Sequence, residues 1–263
     1  MAAMSTGVRT KPARWRGVVV PLLVLLACET GLRVRPMQSD AVAAPSAVLM
    51  ALATALADGT LVVATAQTAW ATLGGLLLGA GTGLLAGLAL GLSRRAATSA
   101  SLLIELLRPL PSVALIPVAL LVFGFGYRLE VAVVGFAVFF PMLLLAMAAV
   151  RAVPARLMEV SAVLRLSMAA RVGKIVLPAA LPRLFVALRL CVGIALVVAV
   201  TTEIASNPQG LGYALLSAQQ SLAPDTMLAV LLWIALIGWC ANAGLQALER
   251  CWFGAMRVGG SLS

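Results

Sequence analysis

Residues 158–182 read MEVSAVLRLSMAARVGKIVLPAALP, a basic, amphipathic stretch set between two long apolar runs. Charges at this density between apolar runs belong in water, so the stretch leaves the membrane that its neighbours enter. Leu157, Val160, Val163 and Leu164 recur at helical spacing, and so do Val172, Ile175 and Val176. The pattern predicts a short helix, a turn and a second helix, with Pro178 and Pro182 punctuating the return to the membrane. An apolar stripe flanked by Arg and Lys has two readings: a docking surface for a soluble partner, or a helix pair lying flat among lipid headgroups.

The rest of the chain fixes the membrane setting. Of its 263 residues 62% are hydrophobic and 11% charged, against about 45–50% and about 25% in soluble domains. The net charge of +10 is therefore no nucleic-acid footprint: most basic residues flank apolar runs, where they set topology. There is no histidine, which removes the commonest metal ligand and general base and excludes an HExxH protease. Cys28, Cys191, Cys240 and Cys251 are scattered, form no CxxC pair and read as apolar filler. No metal or cofactor site is expected in this chain.

Six apolar segments are candidate spans, at about 18–32, 66–92, 101–125, 129–150, 184–204 and 226–248. The basic N-terminus leads into the first, which reads as a signal-anchor helix beginning near Trp15 with Arg14 and Arg16 as anchors. Pro45 opens an amphipathic run expected on the outer face. With the N-terminus inside, only Arg33, Arg35 and Arg128 stay outside, while Arg9, Lys11, Arg14, Arg16, Arg94, Arg95, Arg151, Arg156, Arg165, Arg171, Lys174, Arg183, Arg250 and Arg257 lie inside. Both termini and the 151–183 loop are expected to be cytoplasmic. The chain is expected to divide into residues 1–65 (tail, first helix, outer-face segment), a transmembrane core 66–250 that includes the 151–183 loop, and a cytoplasmic tail 251–263.

Within the core, Gly75, Gly79, Gly83, Gly87 and Gly91 form a ridge at i, i+4 spacing, which lets a neighbouring helix of the same chain or another subunit approach closely. Arg108, Pro109 and Pro111 interrupt the third span. Either the chain bends there to line a pore or gate, or the helix begins at Pro111 with Arg108 among headgroups. Glu203, at the outer end of the fifth span, is either part of an outer gate or a hydrogen-bonded interfacial carboxylate. Gly210 and Gly212 suggest a tight turn outside the membrane. Arg189 is the main charge within a span, close enough to the inner end to snorkel. No P-loop exists: the only Gly-Lys, Gly173-Lys174, is followed by Ile175, and Met168 stands where the first glycine belongs.

These residues resemble the inner-membrane permeases of binding-protein-dependent ABC importers, within them the sulfonate, taurine and nitrate group. That family's loop reads Glu-Ala-Ala, three residues, Gly, nine residues, Ile, one residue, Leu-Pro. Here Glu159, Val160 and Ser161 open it, and Ile175, Leu177 and Pro178 fall at the right distance, while Arg165 replaces the glycine. Arg108-Pro109-Leu110-Pro111, Phe123-Gly124-Phe125-Gly126, Phe139-Phe140-Pro141, Leu177–Pro182 and Gly210-Leu211-Gly212-Tyr213 occur in the family's order over roughly residues 45 to 250.

The resemblance implies an all-α, six-helix type I permease fold working as a homodimer in a bacterial inner membrane. It implies a separate cytoplasmic ATPase that binds ATP and Mg, a solute-binding protein on the other face, and no enzymatic activity in this chain. The loop residues Glu159, Val160, Ser161, Ala162, Leu164, Arg165, Leu166 and Ser167 would dock on the ATPase. Arg108, Pro109, Pro111, Pro141, Glu203, Gly210 and Gly212 would belong to the path or gate. The cargo implied is a sulfonate, taurine or nitrate-type anion; the same group also includes importers of a pyrimidine-type vitamin precursor. Glu159 would either pair with a base on the ATPase or sit in a helix's first turn, where the dipole favours it. Arg165 leaves a turn that either stays right-handed or carries strain. The rival class, a self-sufficient secondary transporter or channel, predicts internal repeats and mid-membrane charges, and an intramembrane enzyme needs a nucleophile–base pair; the residues offer little of either.

Overall fold

The computed structural model describes residues 16–34 and 43–259; Arg9, Lys11, Arg14, Trp15 and Arg35 of the topology reading lie outside them. Among the described residues every regular element is helical. Four stretches are long and apolar enough to cross a membrane: α3 (Thr60–Leu92), α6 (Tyr127–Arg151), the continuous run Met168–Ser206, and Pro224–Cys251 within α11 (Pro224–Gly259). A further crossing is a pair bent by 78°, α4 (Arg94–Leu107) followed by a 3-10 turn (Ser112–Leu115) and α5 (Ile116–Phe123). Ahead of these lie α1 (Arg16–Val34) and α2 (Pro45–Ala57). The chain is an all-α integral membrane protein.

The glycine ridge decides how the core packs. A methyl group at Gly75 would strike Val134, at Gly79 Gly135 and Val138, at Gly83 Phe139 and Met142, at Gly87 Leu143 and Ala146, and at Gly91 Val150. Each step of four along α3 meets a step of four along α6, so the two helices run parallel in direct backbone contact. In lipid there is no hydrophobic drive to pair helices, so close van der Waals packing of this kind supplies much of the cohesion. Parallel neighbours require a return crossing, which the bent α4–α5 pair provides. The same register, taken one step back, sets Ala71 opposite Glu130.

Helix α9 (Leu177–Ser206) packs antiparallel on α6. Arg183 Nη1 donates to the carbonyl of Ala152 just past the end of α6 (3.0 Å), and Cys191 lies against the Val138 carbonyl (3.8 Å). Leu129, Val133, Val138, Ala146, Ala187, Cys191 and Ala195 are nearly solvent-free at this seam. The expected break at Pro178 and Pro182 is absent. A short α8 (Met168–Arg171) passes through a π-helical turn, Val172–Val176, into α9 without interruption, with Pro178 in its first turn and Pro182 inside it. The π turn contains Lys174, whose carbonyl the Pro178 ring would otherwise crowd and which Pro178 cannot bond. The fifth crossing therefore begins in the loop rather than at Leu184.

Two shorter elements complete the fold: α7 (Ala155–Val163) in the loop and α10 (Gly210–Gln220) at the far end of α9. Leu211 of α10 joins Leu61, Ala64 and Val230 in a small second core between α3 and α11. The Trp233 indole donates to the Thr65 hydroxyl (2.8 Å), tying α11 to α3. At the start of α3, Asp58 accepts from the Thr60 backbone N–H (2.9 Å) and hydroxyl (2.8 Å). Those two hydrogen bonds hold its carboxyl below the usual range.

Candidate functional site

The loop is a helix, a sharp turn and a second helix start. α7 ends in a Schellman arrangement, with Arg165 N–H donating to the Ala162 carbonyl and Leu166 N–H to the Ser161 carbonyl, both at 3.0 Å. This closure needs a left-handed residue, and Arg165 supplies it with φ +48°. The turn is therefore not right-handed: Arg165 adopts the glycine conformation and carries the strain. Ser161 is buried and its hydroxyl donates to Met158 O (2.6 Å). Ser167 caps α8, its Oγ accepting from Ala170 N–H (3.3 Å).

What the loop offers outward is apolar. Val163 is 83% exposed, Leu164 62%, Met168 60% and Val160 50%, beside exposed Ala162, Arg165 and Arg156. Glu159 is exposed too, but as the fifth residue of α7 it lies outside the first turn. The helix-dipole account of this residue accordingly falls away. Arg171 is half-buried and its Nε has no hydrogen-bond partner among the described residues.

The Arg108–Pro111 segment is the bend itself. α4 exists ahead of it, so a helix starting at Pro111 is not what the chain does: the axis turns between Leu107 and Ser112. Arg108 and Pro109 join Glu105 and Arg151 around a cleft of about 770 Å³. On its other side Arg108 joins Pro141, Phe136, Phe140 and Leu190 around a cleft of about 410 Å³. Pro141 sits inside α6 and leaves the Ala137 carbonyl without its helical donor, on the wall of that same cleft. Pro111, with extended backbone, lines neither cleft and starts the 3-10 turn.

Glu203, Gly210 and Gly212 gather at the opposite end, away from Arg108 and Pro141. Gly210 and Gly212 do not form a tight turn; they are buried in the first turn of α10. The three leading N–H groups of α10 are capped by side chains from other helices: Gly210 by Gln67 Oε1 (2.9 Å), Leu211 by Thr68 Oγ1 (2.9 Å), Gly212 by Glu203 Oε2 (2.7 Å). Such N–H groups are orphans in any helix, and at membrane depth each needs a partner. Gly210 has φ +86°, and a methyl there would overlap the Glu203 carboxyl; at Gly212 it would lie 2.7 Å from Glu203 Cβ. Gly210 is thus demanded by the approach of that carboxylate, and Gly212 by the approach of the α9 backbone at the Val200 carbonyl. Glu203 is 1% exposed and is a hydrogen-bonded carboxylate, accepting from the Gly212 N–H.

Sequence reasoning missed its neighbour. Glu130, in the first turn of α6, is fully buried beside Glu203 and Gln209, and neither of its oxygens has a hydrogen-bond partner among the described residues. A charge at the second residue of the 129–150 span looks interfacial in sequence; only its place opposite Ala71, under α10, buries it.

A parallel glycine-packed helix pair, a bent crossing between them and a loop interrupting two spans define a membrane permease of the type I kind. The chain belongs to the family described as the binding-protein-dependent transport system inner membrane component, whose model matches residues 75–254. It is 32% identical over 67% of its length to a putative aliphatic sulfonates transport permease protein of Bacillus subtilis. It is 31% identical over 75% of its length to a putative ABC transporter permease protein of Methanocaldococcus jannaschii, and 33% over 64% to the taurine transport system permease protein of Escherichia coli. The matched stretch spans 64%, 74% and 61% of those three relatives. The structure is similar to the methionine ABC transporter MetNI in an inward-facing form, with TM-score 0.59 and 18% identity, over 71% of this chain and 91% of that one. This multi-pass chain is an inner-membrane protein.

Proposed function

We propose that this chain is the membrane-spanning subunit of an ATP-driven importer of small oxyanions. The observation that carries the reading is the exposed apolar ridge Val160, Val163, Leu164 and Met168 on a loop that keeps the family's Glu159…Ile175-Val176-Leu177-Pro178 spacing. A rigid, Schellman-closed turn with an apolar crest is suited to a groove on a soluble partner, and its second helix is continuous with a membrane crossing. Movement of the loop is thereby passed directly to α9 as a lever. ATP and Mg belong to the partner ATPase, since this chain has no P-loop.

The relatives named for aliphatic sulfonates, taurine and nitrate support a small anion as cargo. A solute-binding protein delivers it at the end where Glu203 and α10 lie; the loop and both chain termini face the cytoplasm, and a second copy completes the path. The test is gentle purification from the native host followed by mass spectrometry. A stoichiometric ATPase is expected, and its association should weaken when Glu159→Ala is combined with Arg171→Glu. A homo-oligomer that transports solute unaided would overturn the reading.

A further inference from the structure

A second groove runs between α9 and α11, about 790 Å³ in volume and walled mainly by Val186, Leu190, Val192, Leu196, Val197 and Ile234. Its polar groups include Arg189 and Asn242. Gly238 of α11 touches Leu196 of α9, and the two helices run in opposite senses, so Asn242 falls level with Val192, within a turn of Arg189. Two hydrogen-bond donor groups therefore stand at one end of an apolar groove. Neither side chain has a hydrogen-bond or ion-pair partner among the described residues.

Arg183 makes the contrast clear. It is anchored on the Ala152 carbonyl at the end of α6. Arg189 follows six residues later, about 9 Å deeper along the helix, with no such anchor and flanked by exposed Val186 and Leu190. Arg189 and Asn242 are both exposed on the groove wall, so their donors are free to receive an anion. The groove also shares Leu145 and Leu190 with the cleft that holds Arg108 and Pro141. Two arginines thus stand along one continuous wall.

We infer that Arg189 and Asn242 form an oxyanion-binding subsite on the translocation path, with Arg108 as the next contact along it. The inference rests on the importer reading for the identity of the cargo. The guanidinium fork gives two parallel N–H donors to a planar or tetrahedral oxyanion, the Asn242 amide gives a third, and the apolar wall receives an alkyl group. Either a free solute or a lipid phosphate presents this chemistry.

The test is equilibrium binding of methanesulfonate and nitrate to the full chain in maltoside micelles, which carry no phosphate, with monodispersity and thermal unfolding as folding controls. Saturable binding is expected, weakened about 10- to 100-fold in Arg189→Gln, less in Arg189→Lys and in Asn242→Leu, and unchanged in Arg183→Gln, which removes the same charge elsewhere. Absence of binding by the wild-type chain, or equal binding by Arg189→Gln, overturns the inference. Displacement of the anion by phosphatidylglycerol makes this a headgroup site and overturns the solute assignment. These outcomes are read on the chain alone, so they are separate from whether an ATPase copurifies.

Discussion

Replacing Gly83 by Ala tests the core directly. A Cβ there would lie 2.6 Å from the Phe139 carbonyl oxygen and 3.1 Å from Met142 Cβ, against about 3.5–4.0 Å for relaxed carbon contacts. Neither neighbour is the tip of a flexible side chain, so α3 and α6 must separate locally by about 0.5–1 Å, and gaps of that size forfeit a quarter to a half of each contact's attraction. Overpacking of this kind costs about 1–3 kcal/mol, partly offset by a helix-propensity gain of about 1 kcal/mol for Gly→Ala. Gly81 lies on the same helix with nothing within 4 Å of its Cβ position, so Gly81→Ala receives the propensity gain alone. Reversible SDS unfolding in mixed micelles should therefore place Gly83→Ala about 0–2 kcal/mol below the wild type and about 1–3 kcal/mol below Gly81→Ala, with Gly81→Ala at or above the wild type. Equal stabilities for the two variants would refute the parallel α3–α6 register.

Three further outcomes follow from the same coordinates. Arg165→Gly relieves a left-handed residue and should stabilise the turn by about 1–2 kcal/mol, read as slower amide exchange at Leu166 with retained partner binding; faster exchange would mean the arginine side chain holds the turn. Thr68→Val strands the Leu211 N–H inside the bundle and should cost about 1–3 kcal/mol in thermal unfolding, whereas Thr60→Val at the exposed start of α3 should cost less. Hydrogen bonds lower the Asp58 carboxyl in the folded chain, so its capping contribution is full above the unfolded value of about 3.9 and disappears as pH falls through the lower folded value. Amide exchange at Thr60 should accelerate over that acid window in the wild type and show no such step in Asp58→Asn.

The failures of the linear reading share one cause. Gly210 and Gly212 look like turn glycines because a turn is the local reason for two glycines near a proline. Their actual reason is tertiary: the Glu203 carboxyl lies where a side chain at Gly210 would be, and the Val200 carbonyl of α9 where one at Gly212 would be. Pro178 and Pro182 look like helix ends because proline breaks helices locally; a π turn absorbs the first and the surrounding helices support the second. Glu159 looks like a first-turn residue because sequence shows the charge but leaves the start of α7 open by several positions.

By itself the sequence determined whatever depends on local composition and period: a multi-pass membrane chain, a short helix and turn between two spans, an interruption at Arg108–Pro111, and a glycine face on α3 made to touch a helix. These are properties of near neighbours along the chain, and the bilayer, which admits few backbone structures, makes them decisive. Tertiary structure alone decided which helix meets the glycine face, that Gln67, Thr68 and Glu203 cap α10, that Glu130 is buried against Glu203, and that Arg189 and Asn242 share a groove. Each of these joins groups far apart in the chain, and burial, hydrogen-bond satisfaction and close approach are settled only when those segments pack.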